Sequence, residues 1–141
     1  MPPSGRICAN AFLDLPAGKR PTAIFAGSDY MAYGAISAAQ QRGLCVPEDV
    51  AVVGFDDNPS SAHMEPALTT VRQPFYEMGR RACEILLAHV DAPRSVNGLN
   101  HHNGWMPGAS TSLFDEPVHI KMPTSFIVRA SCGASRGVTV E

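Results

Sequence analysis

Four side chains stand where two apolar runs give out: Ser28 and Asp29 after Thr22–Ala26, and Asp56 and Asp57 after Val50–Phe55. A carboxylate only accepts hydrogen bonds, and each accepts several. Acids gathered at one crevice suit a guest rich in hydroxyl donors, such as a sugar or a nucleoside, and repel a phosphate. Carboxylates so placed also build magnesium sites for phosphoryl transfer. Asp and Ser after a strand have a plainer use as helix caps and turn formers. For Asp29 the cap and the ligand acceptor stand side by side. For Asp56 the ligand reading is preferred, because Asn58-Pro59 already supplies the turn chemistry.

Other chemistry finds little support. There is no G-x-x-x-x-G-K-[ST] phosphate loop, no G-x-S-x-G elbow and no H-E-x-x-H helix. His101-His102 lacks a third spaced ligand and reads as solvated loop rather than metal site. Trp105 lies nearby, as an anchor for that loop or a platform for a ligand. Cys8, Cys45, Cys83 and Cys132 form no C-x-x-C pair, so they read as reduced, mostly buried thiols, with no metal or cofactor expected.

These residues need elements to hold them. The run at 22–26 is apolar on both faces, as buried parallel strands are. Ala32, Ala35, Ile36 and Ala39 make a helical stripe over about 30–42, and Gly43 ends it. The run at 50–55 follows, so 22–55 has the length of a strand–helix–strand unit with adjacent parallel strands. In such sheets ligands bind beyond the carboxyl ends of the strands. Upstream, Ser4 opens a helix over 4–15 with Ile7, Cys8, Ala11, Phe12 and Leu15 on its apolar face. Downstream come a strand at 68–71, a helix at 74–90 led by Pro74, and strand-like patterns at 118–122 and 124–131. The segment 91–117 changes to Asn, Gly, Ser, Pro and His, and is longer than loops of compact domains usually are.

The 141 residues carry 45% hydrophobic and 17% charged side chains, a globular composition. The net charge of −2 and the lack of a basic excess argue against this stretch gripping a nucleic-acid backbone by itself. No stretch approaches the length of a membrane span, and the first residues do not resemble a signal peptide. A cytoplasmic location is expected.

The stretch PTAIFAGSDYMAYGAISAAQQRGLCVPEDVAVVGFDDNP, then PALTTVRQPFYEMGRRACEILL, and finally MPTSFIVRAS resemble, in that order, the effector-binding domain of the LacI/GalR family of bacterial transcription regulators. The resemblance implies an α/β, parallel-sheet, three-layer fold of the periplasmic-binding-protein type, here partial and mainly the second subdomain. Residues 1–72 would be that subdomain and 73–90 a helix packing on the first. Residues 91–117 would be an inserted loop, 118–132 the returning strands and 133–141 a tail. The resemblance places Ser28, Asp29, Asp56, Gln73 and Phe75 at the effector, with Gln73 at the hinge and Phe75 stacking on a ring. The family often has Asn where this chain has Ser28. Tyr33, Ser37, Gln40 and Met64 would face a dimer partner. The implied function is effector sensing, of a sugar or related molecule, without catalysis, in a chain lacking the DNA-binding headpiece and much of the first subdomain. DNA would be reached only through that headpiece. Two alternatives are a sugar-binding protein of a transport system and a magnesium-using hydrolase built on Asp29, Asp56 and Asp57.

Overall fold

The computed structural model describes residues 3–90 and 119–134. They fall into two units, residues 3–73 with 123–134, and residues 74–90 with 119–122.

The first unit holds α1 (Pro3–Leu13), β1 (Ala23–Phe25), α2 (Asp29–Gln40), β2 (Ala51–Asp56), β3 (Thr69–Arg72) and β4 (Ser125–Ile127). Its sheet runs β1-β2-β3-β4, with β1, β2 and β3 mutually parallel and β4 antiparallel to β3. The α/β class and the adjacent, parallel pairing of the two long apolar runs agree with the sequence. The core lies around α2. Ala32, Ala35, Ile36, Ala38 and Ala39 are buried, together with Val52 of β2, with Val50 and Leu68 just before β2 and β3, and with Ala9 and Leu13 from α1.

The helix at the start packs on a different face from the one its large apolar residues mark. Ala9 and Leu13 are buried, whereas Ile7 is 62% and Phe12 52% exposed. The cause is backbone proximity. A Cβ on Gly34 of α2 would stand 2.7 Å from the Arg6 amide nitrogen, and a Cβ on Gly5 would overlap the Met31 backbone. Two glycines let α1 and α2 touch main chain to main chain, and that contact sets the rotation of α1. Its end is closed by Arg20, whose Nε donates to the Leu13 carbonyl at 3.0 Å.

Residues 119–122 carry no strand, and the second run narrows to β4 followed by a 3-10 turn at Ala130–Cys132. Hydroxyls hold that return. Ser131 Oγ donates to the Val52 carbonyl at 2.6 Å and accepts from the Thr69 amide at 2.8 Å, bridging β2 and β3 where their ladder opens. Thr69 Oγ1 accepts from the Arg129 amide and donates to its carbonyl. The cysteines are free, but Cys8, Cys45 and Cys83 are exposed rather than buried. The second unit contains α3 (Phe75–Val90), whose Arg80 pairs with Glu77 and Glu84 along one exposed face. The segment 91–117, with His101, His102 and Trp105, and most of the tail lie outside the described residues.

Candidate functional site

The sheet register fixes where the singled-out side chains stand. Phe25 pairs with Val53, and Ser28 and Asp56 each lie three residues further on. Asp56 pairs with Arg72, and Arg72 with Ser125. Ser28, Asp56, Gln73 and Ser125 therefore share one rim of the sheet, beyond the carboxyl ends of three parallel strands.

Ser28 is the N-cap of α2. Its Oγ accepts from the Met31 amide at 3.3 Å, which leaves its hydroxyl proton free to donate. Asp56 is half-buried, and its Oδ1 accepts from Gln73 Nε2 at 2.8 Å. Among the described residues no donor reaches its other oxygen. The backbone here is strained, with φ at 115° for Asp56 and 55° for Asp57. Non-glycine residues in such regions cost on the order of 1–3 kcal/mol each and persist where surrounding contacts enforce them.

Those contacts are visible. Asp57 has a side chain only 8% exposed, held between two guanidinium groups: Arg72 Nε at 2.6 Å and Arg129 Nη2 at 2.7 Å. Burial works to raise its carboxyl pKa. The hydrogen bonds and charges of Arg129 and Arg72 outweigh that and hold it below the ordinary carboxylate value. Arg129 is itself fixed by Nη1 to the Leu68 carbonyl at 2.7 Å.

Asp29 has a different post from the crevice wall. It is fully buried, and its carboxylate is taken up by the protein. Oδ2 accepts from the Asn58 amide at 2.7 Å and Ser61 Oγ at 2.6 Å, and Oδ1 from Thr70 Oγ1 at 2.5 Å. Because Ser61 gives its proton to Asp29, the 2.7 Å contact between Tyr33 and Ser61 has Tyr33 as donor. Thr70 Oγ1 in turn accepts from the Asp57 amide at 3.3 Å. Asp29 thus ties the start of α2 to β3 and to the turn after β2. Gly54 is part of the arrangement, since a Cβ there would overlap the Asp29 carboxylate. A glycine inside an apolar strand signals close approach, a signal from which the packing around Asp29 could have been expected. Arg72, Arg129, Ser61 and Thr70 carried no such signal.

The positions expected at a dimer partner divide. Tyr33 is 4% exposed and turned inward, with burial pushing its phenol pKa up against the lowering hydrogen bond of Ser61. Its place off the alanine stripe reflects a second buried face of α2 rather than an outward one. Ser37 and Met64 are half-buried, and Met64 packs against the core. Gln40 is exposed, with Nε2 donating to the Glu65 carbonyl at 2.8 Å. Phe75 opens α3 in the second unit and is 54% exposed.

A magnesium site on Asp29, Asp56 and Asp57 is not supported by this geometry. Asp29 is enclosed by protein donors and Asp57 by two cations, leaving Asp56 alone. Among the described residues, no group of three His, Cys, Asp or Glu is placed to hold a metal ion.

The family described as "Periplasmic binding protein-like domain" matches residues 4–111. The chain belongs to this family. Within it the similar proteins are LacI-type regulators. The HTH-type transcriptional repressor CytR of Escherichia coli K12 is 46% identical over 95 residues, 67% of this chain and 27% of that protein. The HTH-type transcriptional repressor PurR of Aliivibrio fischeri MJ11 is 46% identical over 89 residues, 59% of this chain and 26% of that protein. Among solved structures, a LacI-family regulatory protein from Chloroflexus aggregans superposes with a TM-score of 0.66 at 38% identity, covering 92% of this chain and 39% of that one. The transcriptional regulator CelR in complex with cellobiose gives 0.69 at 33% identity, over 92% and 33%. The chain thus spans about a quarter of the length of the curated relatives and little more than a third of the solved ones. The periplasmic-binding-protein-like fold read from the sequence motifs is the fold of these neighbours.

Proposed function

We propose that this chain is part of the effector-sensing region of a LacI-type transcription regulator and does no catalysis. The observation that carries it is the shared rim: among the described residues, Ser28 offers a free hydroxyl proton, and Asp56 a free carboxylate oxygen, beside Gln73. Such a pair of donor and acceptor reads the hydroxyls of a sugar-like guest. Asp29 supports this rim from behind. Gln73 presents Asp56. Ser37, Gln40 and Met64 are the positions proposed to meet a second copy. The relative CelR is solved with cellobiose, and another LacI-family regulator, from Lactobacillus casei, with glucose and with sucrose. Those sugars are the first probes.

The proposed mechanism is a population shift: a guest that prefers one arrangement of the regulator favours it by its differential affinity. DNA contact belongs to other parts of such a regulator, since this stretch is weakly acidic, with a pI near 6.2. A cytoplasmic location follows from the regulatory role. No helix among the described residues is long and apolar enough to cross a membrane.

The test is a thermal-shift titration with cellobiose, glucose and sucrose on the 141-residue chain and its Asp56→Ala variant. A stabilising shift with at least one sugar, absent in the variant, supports the reading. A shift of the same size in Asp56→Ala counts against the rim as the binding site.

A further inference from the structure

The two units are joined where the chain leaves the first after Gln73 and re-enters it at Pro123. The outgoing path is β3 and the returning path is β4, side by side, with Arg72 opposite Ser125. The paired strands have little apolar cover at this end. Phe126 is 54% and Val128 45% exposed. Besides the antiparallel ladder and the Thr69–Arg129 hydrogen bonds, an electrostatic clasp joins them. Arg72 closes the outgoing strand, Arg129 follows the returning one, and both point at one carboxylate that belongs to neither, Asp57. Its neighbour Asp56 holds Gln73, the last residue before the crossing.

We propose that Asp57 is the positioning residue of this junction, a single buried carboxylate that ties the outgoing and returning chains to the elbow carrying Asp56. The two arms are unequal. Arg129 is anchored a second time, through Nη1 to the Leu68 carbonyl, and its side chain is 18% exposed. Arg72 is 57% exposed, and among the described residues Asp57 is its only side-chain partner. The outgoing chain is therefore the arm that depends on the charge. Neutralising Asp57 leaves Arg129 with its carbonyl and Arg72 with water, and the strained elbow loses the contacts that enforce it. The inference concerns the empty protein and needs no guest, so its failure and the failure of the effector reading are separate events.

The test uses the exposed thiols. Cys45 in the first unit and Cys83 in the second take spin labels, with Cys8 and Cys132 replaced by Ser. The distribution of interspin distances is then compared among full-length chains. Asp57→Asn should broaden it, as loss of the clasp implies, and Arg72→Gln should broaden it in the same direction. Asp57→Glu should recover part of the difference. Asp14→Asn, which breaks the Asp14–Arg42 pair within the first unit, should leave the width unchanged. A folded Asp57→Asn chain with the wild-type width overturns the proposal, as does equal broadening by Asp14→Asn. If Asp57→Asn does not fold, Arg72→Gln decides, and an unchanged width there overturns it.

Discussion

Replacing Asp29 by Ala tests the structural account of this rim most directly. The carboxylate receives three hydrogen bonds and is sealed from water. Removing it strands the Thr70 hydroxyl proton, the Asn58 amide and one proton of the Tyr33–Ser61 pair. An unsatisfied buried polar group costs roughly 1–3 kcal/mol. Local rearrangement around Ser61 offsets part of one, so the loss should be about 3–6 kcal/mol, against a typical domain stability of about 5–15 kcal/mol. Asp29→Asn keeps one acceptor oxygen and should cost about 2 kcal/mol on the same scale. The assay is urea unfolding followed by far-UV circular dichroism, comparing midpoints at constant slope. Gly54→Ala supplies a cross-check. Its methyl would overlap the Asp29 carboxylate and approach Leu68 Cδ2 to 2.9 Å, at a cost of about 1–3 kcal/mol by overpacking. In the Asp29→Ala background that cost should shrink, because one of the two obstacles is gone. An Asp29→Ala loss below about 1 kcal/mol, or strictly additive effects with Gly54→Ala, would refute the claim that this acid holds the cluster together.

Three further outcomes are expected. Because the folded-state pKa of Asp57 is depressed, its ion pairs stabilise the protein above the ordinary carboxylate pKa and are lost as the pH falls through the folded value. Wild type and Asp57→Asn should therefore differ in urea midpoint at neutral pH and converge in acid, and a constant gap would contradict this. Ser131→Ala should cost about 1–3 kcal/mol and speed hydrogen exchange at the Thr69 amide that Ser131 Oγ accepts from. Tyr33→Phe should cost about 1 kcal/mol through the lost hydrogen bond to Ser61. It should leave the oligomeric state unchanged by sedimentation, which a partner-facing Tyr33 would not.

The amino-acid order alone determined the strand–helix–strand unit and the parallel pairing of its strands. The apolar runs at 22–26 and 50–55 call for paired strands with the alanine stripe packed on them, but the expectation that the first run is buried on both faces fails, since β1 is covered on one face only and Phe25 is 66% exposed. The location of the rim follows from the same pattern, because parallel neighbours end on one side. What the order did not determine is the use of each acid there. Asp29, Asp56 and Asp57 read alike as acceptors in a row, yet one is sealed behind the wall, one faces the rim and one is clasped by two arginines. Those fates depend on Thr70, Arg72 and Arg129, which lie 41, 15 and 72 residues away from their partners. The rotation of α1 was settled in the same way. Ile7 and Phe12 mark the more apolar face, but Gly5 and Gly34 admit a backbone contact that larger residues forbid. Periodicity reports what a segment can bury; which groups meet is decided by distances that exist only once the chain has folded.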